Sequence, residues 1–208
     1  MRVIVTAGPT REYIDTVRFI TNASSGKMGY ACAAEAVAAG HEVTLITGPV
    51  ALDPPDGVEV VPIVTAAELK EALVSRFEDA DALIMAAAVG DFTVQPRQDS
   101  KIPRSSGPVR ITLVPTEDVL AAAAERKRPG QIVIAFAVEE GPPEKAEAKA
   151  RAEMAAKGAD YVVVNSPAAM AADHSQACIL SVDGIALPWT RQSKVQLARR
   201  IITLLQKD

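Results

Sequence analysis

Residues 6–29, TAGPTREYIDTVRFITNASSGKMG, stand between a strand-like apolar run (residues 2–5) and an Ala-rich helical pattern that begins near Lys27. A strand followed by a helix opens a βαβ unit, and hence a parallel sheet with a right-handed crossover. The connection is far longer than the roughly 2–6 residues such a unit needs, and a loop of that length serves binding or chemistry. Gly8-Pro9-Thr10 is a turn directly off the strand, and Ser24-Ser25-Gly26 places small residues at the helix start, where backbone N–H groups lack partners. Those amides and the helix dipole attract an anion. Arg11, Arg18 and Lys27 add positive charge, and the Asn22 amide can donate and accept. The loop predicts a phosphate or carboxylate site, although Ser24 and Ser25 would equally serve as plain helix caps.

Neither stock phosphate motif is present. A P-loop needs Gly five residues before its Gly-Lys pair and Ser or Thr after it, whereas Thr21 precedes Gly26-Lys27 and Met28 follows. The dinucleotide fingerprint needs three glycines in one tight turn, and Gly8, Gly26 and Gly29 are spread too widely.

Outward from the loop, residues 2–8 form a buried strand. The helix after Gly26 runs to about Ala39 and stops at Gly40. Residues 42–48 and 58–63 are further strands, joined by a Pro-containing loop at 52–57. Residues 66–77 form an amphipathic helix. Residues 80–89, apolar on both faces, read as a central parallel strand that delivers Gly90-Asp91-Phe92 to the sheet edge where such folds bind ligands. Residues 93–115, with four prolines, break the pattern. Only 109–114 alternate there, so the segment is expected to be a flap or an arm toward a partner subunit. A helix at 117–126 capped by Thr116, a strand at 132–138, a helix at 144–157 stopped by Gly158 and a strand at 161–165 follow. A hairpin pairs 178–182 with 185–189 across Asp183-Gly184, and Ser193 caps a last helix. The expected fold is α/β, a Rossmann-like doubly wound, mostly parallel sheet with a protruding flap and a C-terminal β-hairpin, in one domain over 1–208. Strand ends at Gly8, Asp91, Phe136 and Asn165 should open on one cavity.

Composition narrows the function. A net charge of −4 and 4% aromatic residues argue against a nucleic-acid partner. Cys32 and Cys178 lack ligand spacing and suit the core, and His41 and His174 show no metal pattern. No apolar run reaches about 18 residues, so no membrane is expected and the cytoplasm is the expected compartment.

The opening loop, the strand end AAAVGDF, the pair Lys101-Ile102, the strand IAFAVE and the stretch KGADYVVVN together resemble the phosphopantothenoylcysteine synthetases, the cysteine-ligating domain of coenzyme A biosynthesis. The resemblance spans nearly the whole chain. It implies that the carboxylate of 4′-phosphopantothenate attacks the α-phosphate of CTP, with Mg²⁺, to give an acyl-cytidylate and pyrophosphate. The amine of L-cysteine then displaces CMP. A homodimer is implied, and a stand-alone form would need no flavin. Such transfer rests on positioning and charge neutralisation, not on a protein nucleophile, and the sequence offers no Ser-His or Cys-His arrangement.

By the same resemblance, Asn22 steadies the acyl-cytidylate, and Arg18 contacts or supports a phosphate. Ala87 and Ala88 let substrate approach the backbone. Lys101, followed by Ile102, closes over the triphosphate from the flap. Gly8, Ser24, Ser25, Gly26, Asp91, Glu117, Asp118, Val119, Leu120, Phe136 and Lys157 bind the nucleotide. The Mg²⁺ ligands are not identified. Pro103, Arg104 and Glu153 stand where the family carries lysines, which leaves the choice between CTP and ATP open. Two other classes compete. An NAD(P)-dependent Rossmann oxidoreductase would want a tight glycine turn after strand one and an acidic residue closing strand two, where this chain has Thr47-Gly48. A non-catalytic nucleotide-binding protein on the same fold would tolerate the missing lysines.

Overall fold

β1 (Arg2–Ala7) is buried over five of its six residues. Its alternation sends Val3, Val5 and Ala7 to one side of the sheet and Ile4 to the other. It pairs in parallel with β4 (Glu42–Thr47) and β6 (Ala82–Met85). β5 (Val58–Pro62) lies beyond β4, while β9 (Ile132–Val138) and β10 (Tyr161–Asn165) lie beyond β6, all parallel. From one edge, these strands run third, second, first, fourth, fifth, sixth, the doubly wound order. β11 (His174–Ser181) and β12 (Gly184–Ser193) add an antiparallel hairpin, which completes an eight-stranded sheet. The expected α/β architecture is therefore present. This computed structural model describes residues 1–170 and 172–206, so positions 171, 207 and 208 of the expected 1–208 unit lie outside the described residues.

Helices cover both faces. α1 (Lys27–Ala38) and α5 (Lys194–Thr203) pack on one, and α2 (Ala66–Phe77), α3 (Val119–Ala124) and α4 (Pro143–Ala156) on the other. α2 matches its predicted bounds because Leu69, Leu73 and Phe77 repeat at helical spacing, and Thr65 with Glu68 closes a capping box at its start. Ser193 and Gln196 do the same for α5. Cys32 and Cys178 are fully buried, one in each core layer.

Several expectations are corrected. The long opening loop is not irregular throughout: it folds into a small hairpin of β2 (Arg11–Tyr13) and β3 (Phe19–Thr21). The α1 N-cap is Gly26 at φ 78°, and neither serine caps the helix with its side chain. The central strand is Ala82–Met85, not 80–89, because the chain beyond Met85 leaves the sheet to bridge Ala88 to Pro9. In the flap, 109–114 does not form the predicted strand. β7 (Phe92–Val94) pairs with β8 (Leu113–Pro115), and Val109 and Ile111 remain exposed. The helix predicted at 117–126 under Thr116 is the shorter α3, capped by Asp118, whose carboxylate accepts the Ala121 amide at 3.0 Å. Thr116 instead donates its hydroxyl to the Gly90 carbonyl at 2.6 Å. α4 sits one residue earlier than expected at each end. The terminal hairpin is longer on both strands, and its turn residues are Val182 and Asp183, with Gly184 already paired to Ser181.

Candidate active site

The switch in strand order falls between β1 and β6, and their carboxyl ends open a gap in the sheet edge. Two chain segments line that gap back to back. Ala88 donates its amide to Gly8 O at 2.9 Å, Thr10 returns one to Ala88 O at 3.2 Å, and the buried Thr10 hydroxyl accepts from Gly90 N at 2.9 Å. Asn22 locks the arrangement by donating Nδ2 to Val89 O at 2.8 Å, which fixes its amide beside the cleft and leaves Oδ1 as an acceptor. Two glycines make the approach possible. An added Cβ on Gly48 would overlap the Pro9 carbonyl, and one on Gly29 would stand 2.5 Å from Ala7 Cβ and 2.8 Å from Thr6 O.

Above this floor lies a cleft of about 570 Å³, lined by Asn22, Ala87, Ala88, Asp91, Glu117, Asp118, Val119, Leu120, Phe136 and Lys157 among others. A recess of about 100 Å³ adjoins it through shared walls at Ala87, Ala88 and Phe136, and reaches Ser24 and Gly26. Twelve of the seventeen site residues expected from sequence are thus gathered in these two spaces. Gly8, Arg18, Ser25, Lys101 and Ile102 are not among the lining residues. Gly8 supports the floor, and Ser25 donates its hydroxyl to Met170 O at 3.2 Å. Of the loop cations, Lys27 alone faces the recess, since the Arg11 guanidinium lies over the Phe19 ring at 4.6 Å.

Arg18 and Ile102 belong to a separate clasp. The Asp15 side chain is fully buried and accepts from the amides of Val17 (2.8 Å) and Arg18 (2.7 Å), from Arg18 Nη1 (2.7 Å) and from the Ile102 amide (3.1 Å). The Arg18 guanidinium also donates to Ile102 O at 3.2 Å. Burial alone would raise the Asp15 pKa. The three amides and the guanidinium outweigh it and hold the group at about 2, against an ordinary 3.8. Asp15 thereby ties the flap to the β2–β3 hairpin. Lys101 is exposed at the flap's surface.

On the far wall, Lys149, Glu153 and Lys157 line the cleft from successive turns of α4 and its C-cap. Lys157 Nζ pairs with Asp118 at 3.2 Å. Burial pushes the Asp118 pKa up, but the Ala121 amide and Lys157 prevail and leave it lowered. Lys149 bonds Glu139 at 3.0 Å, which raises the pKa of Lys149, and approaches Glu153 at 3.8 Å. Lys149 and Glu139 are site residues the sequence reading missed. The available signal was the four-residue spacing from Lys157 through Glu153 to Lys149, which puts all three on one helix face. Among the described residues, no cluster of three or more His, Cys, Asp or Glu is arranged to hold a metal by itself. Asp91 lines the cleft and makes no ion pair among the described residues. One such carboxylate together with substrate phosphates is how Mg²⁺ is commonly held.

The chain is similar to several known proteins. The coenzyme A biosynthesis bifunctional protein CoaBC of Bacillus subtilis is 40% identical over 205 residues, covering 96% of this chain and 50% of that protein. The chain thus spans about half the length of the curated relatives it matches. The crystal structure of the C-terminal domain of a CoaBC protein superposes at a TM-score of 0.82 with 35% identity, covering 98% of this chain and 93% of that one. A Cab2 variant in complex with phosphopantothenate-cysteine shares the fold at a TM-score of 0.82 and 17% identity, over 98% of this chain and 86% of that one. Residues 1–207 match the DNA/pantothenate metabolism flavoprotein C-terminal domain, in line with the resemblance carried by the opening loop, and the chain belongs to that family.

Proposed function

We propose that this chain, as one synthetase-like domain, ligates 4′-phosphopantothenate to L-cysteine at the expense of CTP, in coenzyme A biosynthesis in the cytoplasm. The observation that carries the reading is the joined cleft and recess, where Asn22, Asp91, Phe136 and Lys157 surround one space beside the α1 N-terminus. Among the described residues, the cleft lining holds no cysteine, serine or histidine. Both thiols are buried in the core, with burial pushing the Cys178 pKa up to about 11 and that of Cys32 higher still. The carboxylate of the acid substrate attacks the α-phosphate, pyrophosphate leaves, and the cysteine amine then attacks the acyl carbon and expels CMP. Asn22 orients the acyl-cytidylate, the segment 117–120 and Phe136 hold the nucleoside, and Lys157 offsets phosphate charge. Mg²⁺, held by Asp91 and the phosphates, would neutralise the charge that spreads over them. Lys149 restores on the cleft wall one of the cations lost at Glu153, which favours retention of triphosphate binding.

Lys101 comes over the triphosphate when the flap closes. The apolar residues Val109, Ile111 and Leu113 alternate along that flap and are each more than 40% exposed, a surface suited to a second copy, and the working unit is a homodimer. Among the described residues, no helix is long and apolar enough to cross a membrane. Pyrophosphate release with CTP, 4′-phosphopantothenate and cysteine tests the reading, and no turnover with any nucleoside triphosphate would refute it. A mass in light scattering that stays monomeric at all concentrations would refute the dimer.

A further inference from the structure

The small recess has a one-sided chemistry. Lys27 is the first residue of α1 and Lys194 the first of α5, and both line it. A cation at a helix N-terminus is opposed by the dipole, so two helix starts and two ammonium groups converge on one space. Lys194 is only 7% exposed, and its Nζ donates to Met170 O at 3.3 Å. Burial and the Lys27 charge hold its pKa below the usual ammonium range, with Asp173 pulling the other way. Asp173 pairs with Lys27 at 2.6 Å, but its side chain is 76% exposed and gives little screening to a buried neighbour. Two more polar groups in the wall have no partner among the described residues. Ser175 is 2% exposed with its Oγ unbonded, and Asn165 Oδ1 is buried and unbonded as well. Buried polar atoms are otherwise nearly always satisfied.

A ligand bearing several anionic oxygens answers all of these groups at once. It accepts from both ammonium groups and from the Ser175 hydroxyl, and it meets the positive ends of both helices. A ligand hydroxyl can donate to Asn165 Oδ1. A space of about 100 Å³ holds one phosphoryl group and no nucleoside. We propose that Lys194 and Ser175, with Lys27, form the seat of a phosphoryl group, either the polyphosphate tail of the nucleotide or the phosphate ester of the acid substrate. The inference rests on the ligase reading above for the identity of those two ligands, and adds to it residues from the far end of the chain.

Direct binding tests it without turnover. Titration calorimetry of wild type, Lys194→Gln and Ser175→Ala with inorganic pyrophosphate and, separately, with 4′-phosphopantothenate should show one of the two ligands weakened. The expected loss is about 10–100-fold for Lys194→Gln and about 5-fold for Ser175→Ala, as charged and neutral hydrogen bonds are worth. The affected ligand identifies the source of the phosphoryl group. The apo protein should melt no lower after Lys194→Gln, because a buried charge has been removed. Unchanged dissociation constants for both ligands would overturn the proposal, and if Lys194→Gln fails to fold, Ser175→Ala decides by the same criterion. Absence of ligation with intact phosphate binding would instead count against the ligase reading alone.

Discussion

Gly29 sits in the first turn of α1, where the helix meets the end of β1. Gly29→Ala would place a methyl 2.5 Å from Ala7 Cβ, 2.8 Å from Thr6 O and 2.9 Å from Ala7 Cα. Carbon atoms rest at about 3.5–4.0 Å, so the helix start must lift from the strand by roughly 1 Å. All three obstructing atoms belong to the backbone or to its rigid Cβ, and none can swing aside. Overpacking of this kind costs about 1–3 kcal/mol, which for a chain of this size lowers Tm by roughly 2–12 °C. The effect on function should exceed the effect on stability. The displaced turn carries Gly26, Lys27 and the neighbouring Ser24 of the recess, and a misplacement of about 1 Å costs on the order of 10²-fold in rate. Scanning calorimetry and CTP-dependent pyrophosphate release on the same preparation check both figures. A Gly29→Ala protein with wild-type Tm and wild-type rate would refute the argument that close approach of α1 to β1 sets the anion site.

Other outcomes follow from the same geometry. Asn22→Ala should lower the rate by about 10²–10³ while CTP affinity changes little, and equal losses in single-turnover and binding measurements would count against its assigned role. Asp15→Asn should speed proteolytic cutting of the flap with little change in the core, and unchanged cutting would contradict the clasp. The wild type should show the same loosening in acid: the folded pKa of about 2 lies below the ordinary 3.8, so the stabilisation is complete above about pH 4 and is lost as pH falls toward 2. Asp118→Ala removes the α3 cap and should cost about 0.5–2 kcal/mol in urea unfolding, whereas Asp118→Asn should keep most of it. Lys149→Ala should raise KM for CTP by about 2–5-fold, as for an exposed ion-pairing group, with kcat nearly unchanged.

The inner parallel strands were legible in the sequence because they are apolar on both faces, as in the fully buried β6, although edge strand β5 carries an exposed Glu59. α2 and α5 were legible because their apolar period and capping residues agree. Of the twelve expected residues gathered in the cleft and recess, Ala87, Ala88, Asp91 and Phe136 meet there because parallel strands deliver them to one edge whatever their sequence separation. Residues 117–120 and Lys157 come instead from the start of α3 and the C-cap of α4. The β2–β3 hairpin was not legible, since it has no core-facing alternation and is held by the buried Asp15, whose partner Ile102 is 87 residues away. The alternation at 109–114 suggested a strand, but β7 pairs only at 113–115 and leaves Val109 and Ile111 without a partner strand. Ala86–Val89 reads as strand because it continues the run that is apolar on both faces, yet the competing bonds to residues 8–10 draw it off the sheet. Lys194 and Ser175 carried no local signal at all. They reach the recess from the start of α5 and from β11, at the far end of the chain.

Because a single carboxylate grips both the tip of the hairpin and the backbone next to Lys101, these two surface excursions cannot travel independently. An inward swing of the flap either drags the hairpin along, acting as a lever on the strand that leads to Asn22, or snaps the grip and lets the lysine move by itself.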